Sequence, residues 1–290
     1  MKKNNKSILI LVTLIIILLV FLVNVDLIIN NIINYTNIFF YKLFPSSFIL
    51  YLIIYMIIEY GFIQFINNYL HINSCSYILF ILSLINGFPS GAKYSKLLYD
   101  KNLISKDYLN TLIKFSHFPN ILFVLGTIKN IINDKVITFY LLISLIISNF
   151  IIMCFSKKEN INYNYSFNNK SFSIVLKEGI IYSFKTIILI YGTSLFFYLI
   201  SSVISIQNLY LKVFIDGMFD LTNGIVGCSL INNVFIRSLF ILLFLSFGSF
   251  SVHMQVFEII EDKDSYLSFV KGRFIGSFIS IICFIILFII

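Results

Sequence analysis

Long apolar runs separated by short polar segments make up most of this chain of 290 residues. A helix that crosses a bilayer needs about 20 predominantly apolar residues. Runs that reach or approach this length predict seven spanning helices, at 8–29, 38–60, 108–128, 136–156, 178–204, 238–257 and 272–290. The pattern therefore predicts an all-α, polytopic membrane protein.

Two further apolar runs, 76–88 and 213–230, are too short or too interrupted to cross a membrane. The first leads into the segment Gly-Phe-Pro-Ser-Gly at 87–91, which holds one of the chain's three prolines between two glycines. Irregular backbone is costly in lipid because unpaired N–H and C=O groups find no water there, so it persists only where protein or an aqueous cavity covers it. We therefore predict a re-entrant or broken helix at each of the two runs.

The order of the runs repeats after the first helix. Each half has one span, one short run and two more spans, and because three is odd the second half must lie upside down relative to the first. We expect an N-terminal transmembrane helix at 1–36, a first inverted repeat at 37–156, a cytoplasmic linker at 157–176 and a second inverted repeat at 177–290. The linker is polar and rich in Asn, which favours irregular chain.

Charge sets the expected orientation of the chain in the membrane. With the N-terminus in the cytoplasm, most of the 21 lysines and arginines fall in cytoplasmic loops, including Lys263, Lys271 and Arg273. Such an excess on the cytoplasmic side is the usual determinant of orientation. The first apolar run lacks the small-x-small site of a cleaved signal peptide, so we expect it to remain as a spanning helix.

Composition excludes several other classes of protein. The chain is 59% hydrophobic and 12% charged, outside the range of soluble domains. Orientation signals account for the net charge of +8, so we expect the lipid bilayer and no nucleic acid as a partner. Neither a disulfide framework nor a metal site is expected, because the cysteines are scattered and no His stands at ligand spacing. The cysteines are Cys75, Cys154, Cys228 and Cys283.

Polar side chains cluster at the predicted breaks. Polar groups within a membrane are costly and usually serve function, and interrupted helices at matching places in two halves point to the central site of a transporter. The predicted substrate-contacting residues are Asn86, Ser90, Asn120, Asp220, Thr222, Asn223, Ser249, Ser251 and Gln255. The predicted helix-break positions are Gly87, Pro89, Gly91, Gly224 and Gly248.

Asp220 is the strongest of these candidates because its apolar run offers few other charges. It could bind a coupling cation (Na⁺ or H⁺), anchor a polar group of the substrate, or cap a helix at the break. A similar choice between a site role and a structural role stands for Ser90, Lys93, His117, Asn120, His253 and Gln255.

We do not expect an enzyme. Intramembrane proteases need a Ser–His pair, paired aspartates or a metal triad, and the residues around Ser90 do not meet the G-x-S-x-G pattern of a nucleophile elbow. No cofactor is expected beyond a coupling cation.

Several motifs carry a resemblance to a known family. "NGFPSGAK" (86–93) followed by "LLYDKNLISKDYLNTLIKFSHFPNILFVLGTI" (97–128) resembles the pattern of the sporulation integral membrane protein family, which belongs to the nucleoside-recognition, or Gate-domain, proteins. "KLFPSSFILYLIIYMIIEYGF" (42–62), "GMFDLTNG" (217–224) and "SFGSFSVHMQV" (246–256) resemble further motifs of that family, in the same order. The departures are Asp220 in place of the usual Glu, Ser249 in place of a second Gly, Asn120 in place of a small or apolar residue, and Leu50 and Tyr51 in place of Pro-Phe.

The resemblance implies a fold similar to that of concentrative nucleoside transporters, with inverted repeats and re-entrant hairpins. It also implies a role in endospore formation, since members of the family are linked to movement of dipicolinic acid across the outer forespore membrane. We therefore expect a multi-pass transporter in that membrane, carrying dipicolinic acid. Two alternatives stay open: a nucleoside or nucleobase transporter, and a non-transporting assembly factor of the spore envelope. A homo-oligomer or a sporulation membrane partner is compatible with either.

Overall fold

The computed structural model describes residues 2–70, 75–157 and 170–290, and within these ranges the chain is helical with no β-strand. Most of the predicted linker, 158–169, lies outside the described residues. The helix that follows begins at Phe172, so the last residues assigned to the linker are helical.

The N-terminal part forms two helices at a sharp angle. Helix α1 (Lys2–Val23) and helix α2 (Val25–Ile38) meet at Asn24, and their axes differ by 94°. The prediction of one uninterrupted span over 8–29 is therefore wrong. Asn24 leaves the helical conformation (φ −112°, ψ 36°), and its side-chain amide donates to the Val20 carbonyl at 2.8 Å, the local competition with helical bonds that is typical of Asn.

From α2 the chain continues through a π-helical segment (Phe39–Leu43) into helix α3 (Phe44–Glu59). The remaining helices of the first half are α4 (Phe62–Leu70), α5 (Cys75–Asn86), α6 (Ser90–Asp100), α7 (Lys106–Phe115), α8 (Ile121–Phe123), α9 (Lys129–Ile132) after a π-helical turn (Val124–Ile128), and α10 (Lys135–Phe155). Those of the second half are α11 (Phe172–Ser202), α12 (Leu209–Phe219), α13 (Leu221–Cys228), α14 (Val234–Phe247), α15 (Phe250–Ile260) and α16 (Lys263–Ile289).

Among the described helices, four are long and apolar enough to cross a membrane, and the bent pair α1–α2 makes a fifth if it is counted as one span. The four are Lys135–Phe155, Phe172–Ser202, Lys263–Ile289 and Val234–Ile260, and each contains most of a predicted span. The last of them joins α14 and α15 and is interrupted at Gly248. The class of membrane protein that the apolar pattern predicted is thus supported by helices of the required length.

The predicted span at 108–128 is wrong. Helix α7 ends at Phe115, residues 116–120 are not helical, and a new helix begins at Ile121. Two features of the sequence explain the break. Pro119 has no N–H to donate, and it disfavours helical conformation at the residue before it. The chain is therefore interrupted here as well as near positions where breaks were predicted.

Three other breaks interrupt the helices at Gly87, Asp220 and Gly248. Gly87 (φ 80°) separates α5 from α6, where the Phe88–Pro89 peptide bond is cis, and Gly248 (φ 84°) separates α14 from α15. Both glycines have a backbone conformation that L side chains rarely adopt. Asp220 separates α12 from α13 in an extended conformation.

Gly91 and Gly224 are not break positions, contrary to prediction, because each lies inside a helix. Their lack of a side chain serves close packing instead. A Cβ on Gly91 would overlap the backbone carbonyl of Ser116, and one on Gly224 would overlap the Cα of Gly217 on the facing helix of the α12–α13 pair. Small residues of this kind let helix backbones approach within a membrane protein.

Helix pairs from the two halves pack together. Helix α3 packs along α11, and α10 packs along α16. Helix α16 also packs against α7, and α15 packs against α6. Outward-facing residues of the long helices are large and apolar, such as Ile188 (65% exposed) and Phe278 (69% exposed), as expected of surfaces that face lipid. These packings bring the four breaks close to one another, as the contacts of Gly91 with Ser116, Gly248 with His117 and Asp220 with Ser251 show.

Candidate functional site

A cavity of about 90 Å³ lies where the breaks of the two halves meet. It is lined by residues of both halves, and we call it the polar cavity. Six of the predicted substrate-contacting residues line it: Asn86, Asn120, Asp220, Thr222, Ser251 and Gln255. Two further polar residues, Ser47 and Ser194, complete its polar wall.

Asp220 bridges two segments at one side of the polar cavity. Its Oδ1 accepts the backbone N–H of Asn223 at 3.1 Å, so Asp220 is the N-cap of helix α13. Its Oδ2 accepts the hydroxyl of Ser251, in the first turn of α15, at 3.3 Å. The capping role and the cavity-lining role that the sequence left open therefore coexist in one carboxylate.

Asn86 and Asn120 join the two breaks of the first half in another part of the cavity wall. The side-chain amide of Asn120 donates to the backbone carbonyl of Asn86 at 3.4 Å, while its oxygen accepts the Leu122 N–H at 2.8 Å. Gly87 makes this contact fit, since a Cβ there would lie 2.8 Å from the Cα of Asn120. Asn120 is thus both a cap of the helix that follows and part of the cavity wall.

The remaining polar walls come from helices α15 and α11. Gln255 donates from Nε2 to the hydroxyl of Ser194 at 3.2 Å, and both residues face the polar cavity. This bond fixes the orientation of the Gln255 side-chain amide. The Gln255 carbonyl oxygen is then the atom of this amide that could accept a hydrogen bond from a substrate.

Three predicted contact residues lie outside the cavity lining. Ser249 donates to the carbonyl of Gly217 at 2.8 Å, and Asn223 donates to the hydroxyl of Ser201 at 3.0 Å. Ser90 is the first residue of α6, and its side chain is buried. The hydrogen bonds of Ser249 and Asn223 therefore support the broken helices beside the site, whereas the Ser90 hydroxyl has no partner among the described residues.

Three side-chain oxygens at the two breaks of the first half have no hydrogen-bond partner among the described residues. Asn86 Oδ1, Ser90 Oγ and Ser116 Oγ are buried, and none has a hydrogen-bond partner among the described residues. The segments that carry them pack directly on one another, with Gly91 against Ser116 and Gly87 against Asn120. Buried polar atoms are rarely left unsatisfied, and amide and hydroxyl oxygens are ligands that hard cations accept.

Aromatic side chains form much of the rest of the cavity wall. They come from five segments, and sequence reasoning missed all of them because aromatic residues make up 18% of the chain. The aromatic lining residues are Tyr35, Phe39, Tyr51, Phe88 and Phe123. Tyr35 and Phe39 belong to α2 and the π-helical segment after it, so the N-terminal region contributes to the site. The predicted domain boundary at residue 36 falls inside α2.

The polar cavity carries one formal charge among its described lining residues, that of the Asp220 carboxylate, and Lys, Arg and His are absent from that lining. Lys93 lies elsewhere, with its Nζ 4.5 Å from the centre of the Tyr182 ring. A substrate in the cavity would meet hydroxyls, amides, aromatic faces and one acid.

His117 and His253 lie beside the cavity and outside its lining. His253 Nε2 is 3.2 Å from the Phe247 carbonyl, which can only accept, so this nitrogen carries the hydrogen. Nδ1 then accepts from the Tyr266 hydroxyl at 3.1 Å, and the neutral ring is satisfied at both nitrogens. The ring of His117 stacks on Phe88 with centroids 5.0 Å apart.

The position of Arg273 differs from the one that the charge pattern predicts. The pattern predicts a cytoplasmic loop, but Arg273 lies inside helix α16 and is completely buried. Its guanidinium donates to the carbonyls of Lys114 and Ser246 and to the side chain of Asn149. Sequence analysis grouped Arg273 with the nearby Lys263 and Lys271 as one basic cluster and therefore missed its buried position. Gly272 beside it and Gly276 one turn later were the available signal, because small residues mark close helix contacts.

No protein-family model matches the chain, and comparisons with curated proteins and with solved structures find no significant match. The family resemblance seen in the motifs therefore stays a prediction, together with the function, location and partners that it implies.

Proposed function

We propose that this protein is a membrane transporter that carries a small polar molecule through the polar cavity. The observation that carries the proposal is the meeting of the breaks of both halves around one cavity lined by Asn86, Asn120, Asp220 and Gln255. Broken helices that expose backbone groups at a midplane site are the construction that transporters use to bind substrates.

The order of helices supports two inverted repeats. The first half has α3, the pair α5–α6, the interrupted helix α7–α9 and the span α10. The second half has α11, the pair α12–α13, the interrupted helix α14–α15 and the span α16. Alternating access by one half rocking against the other is the motion that such an arrangement favours.

The negative charge in the cavity lining affects which substrates the cavity could bind. Dipicolinate is a dianion, and the described lining offers it no cationic side chain, while Asp220 would repel it. An uncharged ring compound such as a nucleoside or nucleobase needs only the hydroxyls, amides and aromatic faces that are present. We therefore favour a neutral substrate, and dipicolinic acid as a substrate only when protons or a cation compensate its charge.

A coupling cation has a suitable place at the first two breaks. The oxygens of Asn86, Ser90 and Ser116 are the donor set that would hold Na⁺, since they are buried and have no partner among the described residues. A bound cation would supply positive charge close to Asn86, which also lines the polar cavity. Asp220 is the second candidate, for a proton.

The proposed setting follows from the motif resemblance alone. It is endospore formation, with the protein in the outer forespore membrane and its N-terminus in the cytoplasm, and with a homo-oligomer or sporulation membrane protein as a further partner.

Uptake into proteoliposomes tests the proposal. The purified protein would be reconstituted and given labelled uridine or labelled dipicolinate, under Na⁺ and proton gradients in either direction, with protein-free liposomes as the control. We expect saturable uptake of the neutral compound that responds to one of the gradients. For dipicolinate, an inside-positive potential would accelerate uptake of a bare dianion, and we expect no such acceleration.

Failure to take up either compound under every gradient would contradict transport and favour the assembly-factor alternative. Potential-driven uptake of dipicolinate would contradict the charge argument while leaving the transport function intact.

A further inference from the structure

The chain contains two arginines among its 21 basic residues, and both bind backbone carbonyls at or just beyond the ends of helices. Arg237 Nε donates to the carbonyl of Ile231 at 2.8 Å and Nη1 donates to that of Ile131, in α9, at 2.9 Å. Arg273 donates to Lys114 and Ser246. Each arginine therefore connects the two halves of the chain, but they differ in burial and in position relative to the polar cavity.

Arg273 lies between the ends of two interrupted helices. Its Nη2 donates to the carbonyl of Lys114, in the last turn of α7, and its Nη1 donates to that of Ser246, in the last turn of α14, at 3.2 Å. Both carbonyls belong to the group that a helix end leaves without an intrahelical partner. Gly272 allows the approach, since a Cβ there would lie 2.5 Å from the carbonyl oxygen of Lys114.

The charge of Arg273 is balanced without a carboxylate. No ion pair is formed by this residue within the described ranges, and its Nε has no partner there. Each helix C-terminus carries the equivalent of roughly half a negative charge. Two C-termini at one guanidinium therefore offset its charge, and separating either helix end from Arg273 would leave a buried cation partly uncompensated.

Both helices that Arg273 holds continue into the walls of the polar cavity. After α7 the chain passes through the break at 116–120 to Asn120, and after α14 it passes through Gly248 to Ser251. Asn149 reinforces the first of these connections, since its amide donates to the carbonyl of His117 at 2.9 Å while its oxygen accepts from Arg273 at 3.1 Å.

We propose that Arg273 is a positioning residue that couples the break at 116–120 to the break at 248–249, so that the two walls of the polar cavity change conformation together. The coupling itself is inferred from the hydrogen bonds of the guanidinium. Its consequence for substrate movement rests on the proposed transport function. Arginine suits the role because its planar fork reaches several acceptors at fixed angles, whereas a lysine ammonium is a point charge on a flexible stem.

Hydrogen exchange of backbone amides, followed by mass spectrometry, tests the coupling directly. In Arg273→Lys we expect exchange at both breaks to accelerate by about 10-fold or more, in parallel. Arg237→Lys is the matched control, because it weakens the same type of bond at helix ends outside the cavity lining, and it should leave both breaks unchanged. Faster exchange at one break alone, or at neither, would overturn the proposal.

Transport kinetics separate positioning from a general loss of folding. If the walls move together through Arg273, the Arg273→Lys variant should lose roughly 10-fold in maximal rate per folded molecule with KM within about 3-fold of wild type. A parallel change in KM and rate, or the same loss in Arg237→Lys, would assign Arg273 a structural role only.

Two further measurements test the coupling if Arg273→Lys does not fold or if the wild type shows no uptake. If Arg273→Lys does not fold, Asn149→Ala replaces it in the test. This variant retains Arg273, and exchange at both breaks should accelerate by a smaller factor. In the wild type, the amides of the two breaks should share one opening constant across a temperature series, and different constants would overturn the coupling. If the wild type shows no uptake of any compound, exchange alone decides the coupling and the transport function fails separately.

Discussion

The imidazole of His117 lies against Gly248, at van der Waals distance from the point where a side chain of residue 248 would begin. A Cβ built on Gly248 would lie 3.5 Å from both Cε1 and Nε2 of His117. The two residues belong to different breaks, one in each half of the chain, and the contact shows that these breaks lie against each other. A Cβ on Gly248 would therefore fit beside His117, but the backbone of Gly248 at φ 84° and ψ 149° is suited to glycine alone.

Gly248→Ala is therefore expected to destabilise the protein by about 1–3 kcal/mol, through backbone strain and not through a clash. The matched control is Gly126→Ala, since Gly126 has open space around it and lies in a helical turn, where alanine is tolerated or favoured. Thermal unfolding in detergent would measure both variants. Equal melting temperatures for the two would contradict the strained conformation at Gly248.

Asp220→Asn is expected to lower transport by roughly 10-fold or more while the protein stays folded. Asn is as good an N-cap as Asp, so helix α13 keeps its start, whereas the negative charge in the cavity wall is lost. Asp134→Asn is the control, because Asp134 caps α10 in the same way, with its Oδ1 accepting Val136 N–H at 2.8 Å, on the surface and outside the cavity. Uptake and melting temperature would be measured together.

Normal transport in Asp220→Asn would reduce Asp220 to a structural cap. Loss of transport in both Asp220→Asn and Asp134→Asn would point to a general effect of removing a negative charge from a helix N-terminus, and not to a role of Asp220 in the cavity.

The helix breaks could be predicted from the sequence because Gly, Pro and Asp are conspicuous in apolar runs. Gly87, Pro89, Asp220 and Gly248 all lie at interruptions of the helices. The break at 116–120 was missed because its flanking residues are apolar enough to average out as a span. These residue types thus indicated where the helices are interrupted. Six polar residues near the interruptions line one cavity.

The other walls of the cavity depend on tertiary packing and could not be predicted. Tyr35 and Ser194 are ordinary residues of long helices, and only the bend at Asn24 and the packing of α2 on α11 bring them to the site. Arg273 was misplaced for a related reason. Counting charge by loops assumes that charged residues avoid the interior, and a guanidinium compensated by helix ends does not obey that assumption.

Ser90→Ala is expected to weaken activation of transport by Na⁺, raising the Na⁺ concentration for half-maximal rate by roughly 10-fold, because it removes one of the three oxygens proposed to hold the ion. The control is Ser238→Ala, since Ser238 is also a buried hydroxyl with no partner among the described residues, but it lies in α14 away from the first break. Uptake rates would be measured at Na⁺ concentrations balanced with choline.

An unchanged Na⁺ dependence in Ser90→Ala would remove this residue from the proposed cation site. A change of the same size in Ser238→Ala would show a general effect of losing a buried hydroxyl.

The ion pair of Lys106 and Asp262 predicts a pH dependence of stability at the ends of helices α7 and α16. Lys106 Nζ lies 2.8 Å from Asp262 Oδ1, and this bond, with those from Ser265, lowers the pKa of the Asp262 carboxyl to about 2. Because the folded-state pKa is below the ordinary value of 3.8, the pair stabilises the fold above that value and the contribution disappears as pH falls toward 2. Wild type should therefore melt at a higher temperature than Asp262→Asn at pH 6, and the difference should vanish near pH 2.

Lys106→Gln removes the same pair from the other side and leaves Asp262 as the cap of α16, which holds Ser265 N–H at 2.8 Å. Its melting temperature should match that of Asp262→Asn at pH 6, and the double variant should lose less than the sum of the two single losses, since residues in contact do not act independently. Additive losses, or a difference from wild type that persists at pH 2, would mean that Asp262 stabilises the junction through its capping bonds and not through Lys106. Because the pair is partly exposed, raising the salt concentration at pH 6 should shrink the difference in the same way that acid does.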